Sequence, residues 1–480
     1  MTVTPFQRRA LIAIMAVLAQ FFIFKYFYPF ASFFQDSYTY IDAAAWGNSI
    51  SYRPIGYSLF LSMVHFITPS DTFLVFLQYC LLQMAGFYLY YSIGALYGPR
   101  KAMMNVLFIL LLFDPLNLYL ANAVSSDALF TGLSLIWLTE LLWLMQRPSW
   151  WRLIRQLALV VVIFSIRYNA LCYPVIAAAA LLLTRREMVF KIVGAGAGVL
   201  TLVIGVVVIG QLTRAQTGVR VFSAFSGWQI ANNALYIYPY IEVDREGLPS
   251  GECRELDSMV KAYFDASGPS RQGHHPVDTW YMWDPKSPLK QYMFRRQERE
   301  HTDYFTAWNR VAPVFSQYGY YLMRHHPWLF SRAYGWPSAR LYFYPPLEML
   351  MRYNEGSGEV GPLVVKWFHY KNEKVRVGSF TAQGIILGWV PALFLAVNLA
   401  FMGVGLVLMV KWRPGGKSAF QAAMLLTGVY FIVNAAFSIF ATPNMMRYQV
   451  APLVWLLVFT LLAYHRLLSR WNPAPAVRME

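Results

Sequence analysis

Long apolar runs separated by short polar segments dominate the chain. Runs that reach the roughly 20 residues a helix needs to cross about 30 Å of hydrocarbon lie near 10–30, 71–97, 102–123, 128–145, 188–211, 384–410, 418–440 and 448–468. The run 153–183 is too long for one helix and carries Arg167, Tyr168 and Asn169 in its middle, so it reads as two short helices turning at the outer membrane surface. Together these segments predict ten spans. Residues 54–68 are apolar over a stretch too short to cross, and predict an interfacial helix after the first outer loop.

Residues 213–383 break the pattern. They hold 20 basic and 16 acidic residues together with aromatic stretches at Tyr236–Tyr240, Trp280–Trp283 and Tyr334–Pro346. Such a mixture predicts a folded domain outside the membrane, with parts resting on the interface where amphipathic rings are favoured. The expected architecture is an all-α polytopic membrane protein. It comprises a membrane module over 1–212 with about seven spans, a mixed extracytoplasmic domain over 213–383, and a closing module over 384–480 with about three.

Composition removes the soluble alternative, since 57% of residues are hydrophobic, 13% are charged and the mean hydropathy is +0.40. A formal net charge of +16 raises nucleic acid as a partner, but basic loops that orient a membrane protein explain it first. Outside 213–383 there are 20 Lys and Arg, of which 16 flank helices on one side: Arg8, Arg9, Arg100, Lys101, Arg147, Arg152, Arg155, Arg185, Arg186, Lys191, Lys411, Arg413, Lys417, Arg466, Arg470 and Arg478. That side is read as cytoplasm, and an even number of spans puts both termini there. Arg8 and Arg9 precede a first run rich in Phe and Tyr, with no small-residue cleavage site, which reads as an uncleaved signal anchor. Cys80, Cys172 and Cys253 are too scattered for a disulfide framework or a metal cluster.

Lys25, Arg53, Arg167 and Arg447 are left unexplained by orientation. The first outer loop carries Gln35-Asp36-Ser37-Tyr38-Thr39-Tyr40, then Asp42, and ends at Tyr52-Arg53-Pro54-Ile55-Gly56-Tyr57. The next outer turn carries Asn122, Ser125, Ser126 and Asp127, the short hairpin presents Arg167, and the last outer turn carries Asn444 and Arg447-Tyr448. Charges near membrane depth are costly and point to function. Arginines that grip an anionic phosphate, beside a carboxylate serving as general base or holding a divalent ion, describe group transfer from a lipid phosphate.

This arrangement resembles the GT-C superfamily of membrane glycosyltransferases, among them protein mannosyltransferases and lipid A aminoarabinose transferases. Asp36 matches the family's acidic residue shortly after the first span. Arg53-Pro54-Ile55-Gly56-Tyr57 resembles its Arg-Pro segment opening an interfacial helix, Ser126-Asp127 matches a second acidic position, and Arg447-Tyr448 with Pro452 resembles the opening of its last helix. The resemblance covers residues 1–212 and the last helix. It implies a polyprenyl-phosphate sugar as donor and a lipid, glycan or protein as acceptor, on the outer face of a bacterial cytoplasmic (inner) membrane. Asp36 is then expected to take the acceptor's proton, Asp127 to orient the acceptor or a divalent cation, and Arg53, Arg447, Arg167 and Tyr448 to hold the donor phosphate. A flippase of a lipid-linked sugar and a non-catalytic envelope assembly protein are the competing readings.

Simpler roles exist for each of these residues. Asp36 is suited to cap a helix or pair with Lys25, Asp127 to start a helix after Ser125-Ser126, Arg53 to snorkel, and Arg167 to anchor a turn. Asp42 reads as a solvated partner and His65 as a satisfied interfacial histidine. His274-His275 and His325-His326 lack the spacing of a metal site. Glu140 lies inside a span without an evident role, and Gly194-Ala195-Gly196-Ala197-Gly198 follows no strand and reads as helix packing.

Overall fold

The structure is a computed structural model that describes residues 5–267, 277–410, 418–441 and 443–469. His274-His275 and the basic residues Lys411, Arg413, Lys417, Arg470 and Arg478 lie outside these. The described residues form helices and isolated bridges, without strands. Eight helical segments are long and apolar enough to cross a membrane: Gln7–Phe27, Asp71–Tyr97, Lys101–Asn122, Ser126–Gln146, Met188–Thr217, Ala382–Val410, Ala419–Ala441 and Val450–Leu468. They coincide with the eight apolar runs, and the chain is an all-α, multi-pass membrane protein.

Along the chain the first helices are α1 (Pro5–Phe27), α2 (Gln35–Trp46), α3 (Gly56–Ile67), α4 (Asp71–Tyr97), α5 (Lys101–Leu112), α6 (Pro115–Asn122), α7 (Ser126–Gln146), α8 (Trp150–Ile166), α9 (Tyr173–Leu183) and α10 (Met188–Thr217). Their ends are written in the sequence. Ser70 accepts from Phe73 N–H at 3.2 Å to start α4, and Ser149 caps α8. Asp114 caps α6 ahead of Pro115, which interrupts the span Lys101–Asn122. Gly47 and Gly98 end α2 and α4 in the left-handed conformation, at φ 64° and 54°. Arg167 ends α8, and a 3-10 turn at Tyr168–Cys172 leads into α9, so the run 153–183 does break where its polar triplet stands.

The described residues fall into two compact units: those within 1–202, 344–434 and 445–469 form one, and those within 203–343 and 435–444 the other. These units change over near 203 and 344, whereas the sequence reading drew its boundaries at 212 and 383. Residues 344–383 group with the membrane helices because they spend their hydrogen bonds there. Tyr353 Oη donates to Ala31 O at 2.9 Å, Tyr370 Oη to Asp71 Oδ2 at 2.8 Å, and Gly378 N to Phe27 O at 2.8 Å.

The second unit holds α11 (Ala224–Leu235), α12 (Gly251–Ser267), α13 (Trp280–Trp283), α14 (Pro288–Glu300), α15 (Tyr304–His325), α16 (Pro327–Phe330) and α17 (Trp336–Phe343). Its centre is the pair α11 and α15, which approach so closely that a Cβ on Gly227 would overlap the Ala312 carbonyl oxygen, and one on Gly319 would stand 2.8 Å from the Ile230 carbonyl carbon. Trp228 stacks on Trp308 with centroids 4.0 Å apart. Beneath them Lys290 is buried among the rings of Trp228, Trp283, Tyr304 and Trp308 and donates to Tyr304 Oη.

The chain closes with α18 (Pro362–Phe368), α19 (Ala382–Leu387), α20 (Val390–Val410), α21 (Ala419–Ala441) and α22 (Val450–Ser469). In the first unit α7 is the most enclosed of the apolar spans, packed on α4, α8 and α22. Gly194 meets Leu181 and Leu153 closely enough that a Cβ would stand 2.9 Å from Leu181, whereas nothing lies within 4 Å of a Cβ on Gly196, so the close packing expected of this segment occurs at Gly194. Glu140 on α7 is neutralised by Arg152 and by Arg155, at 3.0 Å, and accepts from Tyr88.

Candidate functional site

A short parallel bridge pairs Ser32 with Ala123. Ser32 N donates to Asn122 O at 2.8 Å and Val124 N to Ser32 O at 2.9 Å, so the loop after α1 is stitched to the turn after α6. Gln78 on α4 supports that turn by donating to Ala121 O at 2.7 Å and Ala123 O at 3.1 Å, while accepting from Tyr57 Oη. Asp36 and Asp127 each follow their bridge residue by four positions, and each is the second residue of its helix. The bridge thus sets two helix N-termini side by side, with a carboxylate on each where the helix dipole favours negative charge.

Three arginines from three other segments close on this pair. Arg53, in the connection between α2 and α3, pairs with Asp36 Oδ1, and Arg167, at the break between α8 and α9, pairs with Asp127 Oδ1. Arg447, in a 3-10 turn over Met446–Tyr448, spans both: Nη2 donates to Asp36 Oδ2 at 3.0 Å and Nη1 to Asp127 Oδ2 at 3.0 Å. Tyr448 adds its hydroxyl, 2.7 Å from Arg447 Nη2, and its ring faces Arg167 at 4.0 Å and Arg447 at 4.6 Å. Ser125 Oγ donates to Asp127 Oδ2 at 2.9 Å, and Tyr40 Oη donates to Ser126 Oγ at 2.9 Å.

The structure therefore brings together Asp36, Asp127, Arg53, Arg167, Arg447 and Tyr448. Asp36 does not pair with Lys25, which reaches Asn122 instead, and Asp127 is not the helix cap, a position held by Ser125. Asp42 is exposed, and His65 stacks on Trp367 at 4.0 Å. His325 Nδ1 lies 2.8 Å from Tyr321 O, and His326 ends α15. Sequence reasoning missed Ser125 and Tyr40 as partners of the cluster, and missed Asn354, which accepts from Phe33 N at 3.1 Å and donates its own N–H to Ser32 Oγ at 3.0 Å in the loop leading to Asp36. The Asn354-Glu355-Gly356 turn composition was the only signal of Asn354.

Compared with known proteins, the chain matches no family model, no curated protein and no solved structure. The chemistry of the site rests on its own residues.

Three guanidiniums against two carboxylates leave one net positive charge. The side chains of Asp127, Arg447 and Asp36 are 1%, 3% and 9% exposed, whereas those of Arg167 and Arg53 are 13% and 20% exposed, so the accessible edge is basic. Arg447 Nε is buried and has no protein acceptor, an open donor that an anion satisfies. Burial raises the Asp36 carboxyl, but Arg53 and Arg447 outweigh it and hold the group below the usual carboxylate range. A divalent cation fits this donor set poorly. All four carboxylate oxygens are taken by guanidiniums, and no cluster of three or more His, Cys, Asp or Glu occurs among the described residues.

Proposed function

We propose that this protein is a glycosyltransferase that moves a sugar from a polyprenyl-phosphate donor to a lipid, glycan or protein acceptor at the outer face of a bacterial cytoplasmic membrane. The observation that carries the reading is the convergence of Arg53, Arg167 and Arg447 on Asp36 and Asp127 at two juxtaposed helix starts. Such a cluster suits a lipid phosphate and the charge it gains on leaving.

In this reading Arg53, Arg447 and Arg167, framed by Tyr448, bind the donor phosphate. Asp36 and Asp127 hold the guanidiniums in place before the donor arrives. The phosphate then competes with the carboxylates for Arg53 and Arg447, and Asp127 stays anchored through Arg167 and Ser125. A cavity of about 200 Å³ between α5, α6, α20 and α22, lined by Leu82, Leu111, Trp389 and Leu457, offers hydrocarbon surface for the donor's tail. On the ten-span topology expected from the sequence, with both termini in the cytoplasm, the cluster would face the outer side of the membrane.

The test is transfer by the purified protein in proteoliposomes supplied with synthetic polyprenyl-phosphate sugars and membrane glycolipid acceptors. A covalent glycosylated product supports the reading. Transbilayer movement of the donor with no covalent product would replace it with a flippase, and neither outcome would leave a binding or assembly role.

A further inference from the structure

Within the second unit, α17 packs on the end of an apolar span. The span α21 has 23 residues, a length of about 34 Å that suffices to cross the hydrocarbon core of a bilayer. Its last carbonyls have no partner within the helix, and the second unit supplies them: Ser338 Oγ donates to Ile439 O at 2.8 Å and Asn233 Nδ2 to Phe440 O at 3.1 Å. Asn444, just past α21, donates back to Ser338 O at 3.1 Å. Ser338 lies on α17, so α17 stands at the level where α21 leaves the hydrocarbon.

Residues 327–343 run without a break through α16, a π turn over Ser331–Gly335 and α17. Tyr334, Ser338 and Tyr342 are buried, whereas Trp328, Arg332, Trp336 and Arg340, at intervals of four, are exposed. Trp328 is 80% exposed and Trp336 66%. Four residues of α-helix overshoot one turn by about 40°, so such a series winds away from its starting face, and the wider π turn takes up part of that excess. Indole and guanidinium therefore alternate along one exposed side.

No neighbouring acid in the chain offsets these arginines. From Tyr304 to Leu347 there is no Asp or Glu, against Arg310, Arg324, Arg332 and Arg340. Exposed indoles are favoured at the headgroup level, where the ring meets hydrocarbon and its N–H meets polar groups, and a guanidinium binds phosphate through paired donors. We propose that Trp328, Arg332, Trp336 and Arg340 form a lipid-docking surface that binds anionic phospholipid of the surrounding bilayer and holds the second unit against the membrane. The indoles enter the headgroup region, and the guanidiniums take lipid phosphates. This surface needs only the membrane and is independent of the transfer reaction.

The experiment reads the depth of a nitroxide on the full-length protein, attached at Trp328→Cys, at Trp336→Cys or at Ala262→Cys, with Cys80, Cys172 and Cys253 replaced by Ala. Ala262 lies on α12 beside the exposed pair Lys261 and Asp265 and serves as the aqueous reference. The protein is reconstituted into bilayers of phosphatidylcholine alone or of equal parts phosphatidylcholine and phosphatidylglycerol. Relative accessibility to oxygen, which concentrates in hydrocarbon, and to a water-soluble nickel chelate gives the depth. In the mixed bilayers the labels at 328 and 336 are expected to show an oxygen-to-nickel ratio severalfold above that at 262. Arg332→Gln with Arg340→Gln should return them to the shallower depth found in phosphatidylcholine alone, whereas Arg332→Lys with Arg340→Lys should keep much of the response to phosphatidylglycerol. Ratios at 328 and 336 equal to that at 262, or a depth indifferent to phosphatidylglycerol, overturn the proposal. Shielding of these labels from both reagents with dipolar broadening between spins also overturns it, and gives the surface to a second copy of the chain.

Discussion

Arg447 and Asp36, 411 positions apart in the chain, are joined by a 3.0 Å hydrogen bond between buried side chains. The same guanidinium reaches Asp127, so removing it strips one partner from each of two buried carboxylates. Breaking a buried pair from one side costs about 3–5 kcal/mol, because the remaining charge is left uncompensated. Arg447→Gln is expected to lose stability on that scale, measured by thermal unfolding in detergent. Arg447→Lys, which keeps the charge but not the two-ended geometry, should fall between the two.

Asp36 also sets an acid limit. Its folded carboxyl lies below the ordinary range, so its contribution to stability is complete above about pH 4 and is lost as pH falls through the lower folded value. Below pH 4 the melting temperature of wild type should drop more steeply than that of Asp36→Asn. Parallel curves in that range would contradict the assignment.

Arg53 is the most accessible of the three site arginines. Its truncation to Met should raise donor KM by at least tenfold, since a charge-assisted phosphate contact contributes about 1.5–3 kcal/mol. The fold should change little, because Arg447 still neutralises Asp36. Donor titration of the initial transfer rate checks this.

In the second unit, burial lowers the Lys290 ammonium from its ordinary 10.5 to about 8. The unfolded chain therefore binds the extra proton between these values, and stability rises as pH climbs from 8 to 10.5, by up to about 3 kcal/mol less what the surrounding rings return. Lys290→Met should be the more stable form at pH 7, with the difference shrinking as pH approaches 10.5. Denaturation monitored by tryptophan fluorescence reads this directly.

The glycines between α11 and α15 are equally testable. Gly227→Ala places a methyl group against the Ala312 carbonyl, and overpacking of this kind costs about 1–3 kcal/mol. Gly403→Ala, where nothing lies within 4 Å of the added carbon, is the matched control. Proteolytic susceptibility of residues 203–343 should rise in the first variant alone.

Much of this molecule is legible along one dimension. Spans announce themselves because hydrocarbon demands length and apolarity, and the break at Arg167 shows where a long run must turn. Charges without an orienting role, Arg53, Arg167 and Arg447, stand out for the same reason. The Ser32–Ala123 bridge does not, since backbone pairing between two loops leaves no periodic trace in side chains. Asn354 was hidden for a different reason: residues 344–383 look like the polar domain they follow, and only their hydrogen bonds to Ala31, Ser32, Phe33 and Asp71 reveal where they belong.

The order of synthesis gives the Arg447 bridge a further meaning. Asp36 and Asp127 emerge early from the ribosome and meet Arg53 and Arg167 soon afterwards, but the guanidinium that joins them arrives with the last helix. A nascent chain halted before that point holds two carboxylates only half neutralised. Closure of the cluster therefore waits on the segment that leads into α22, the last of its contributors to be made.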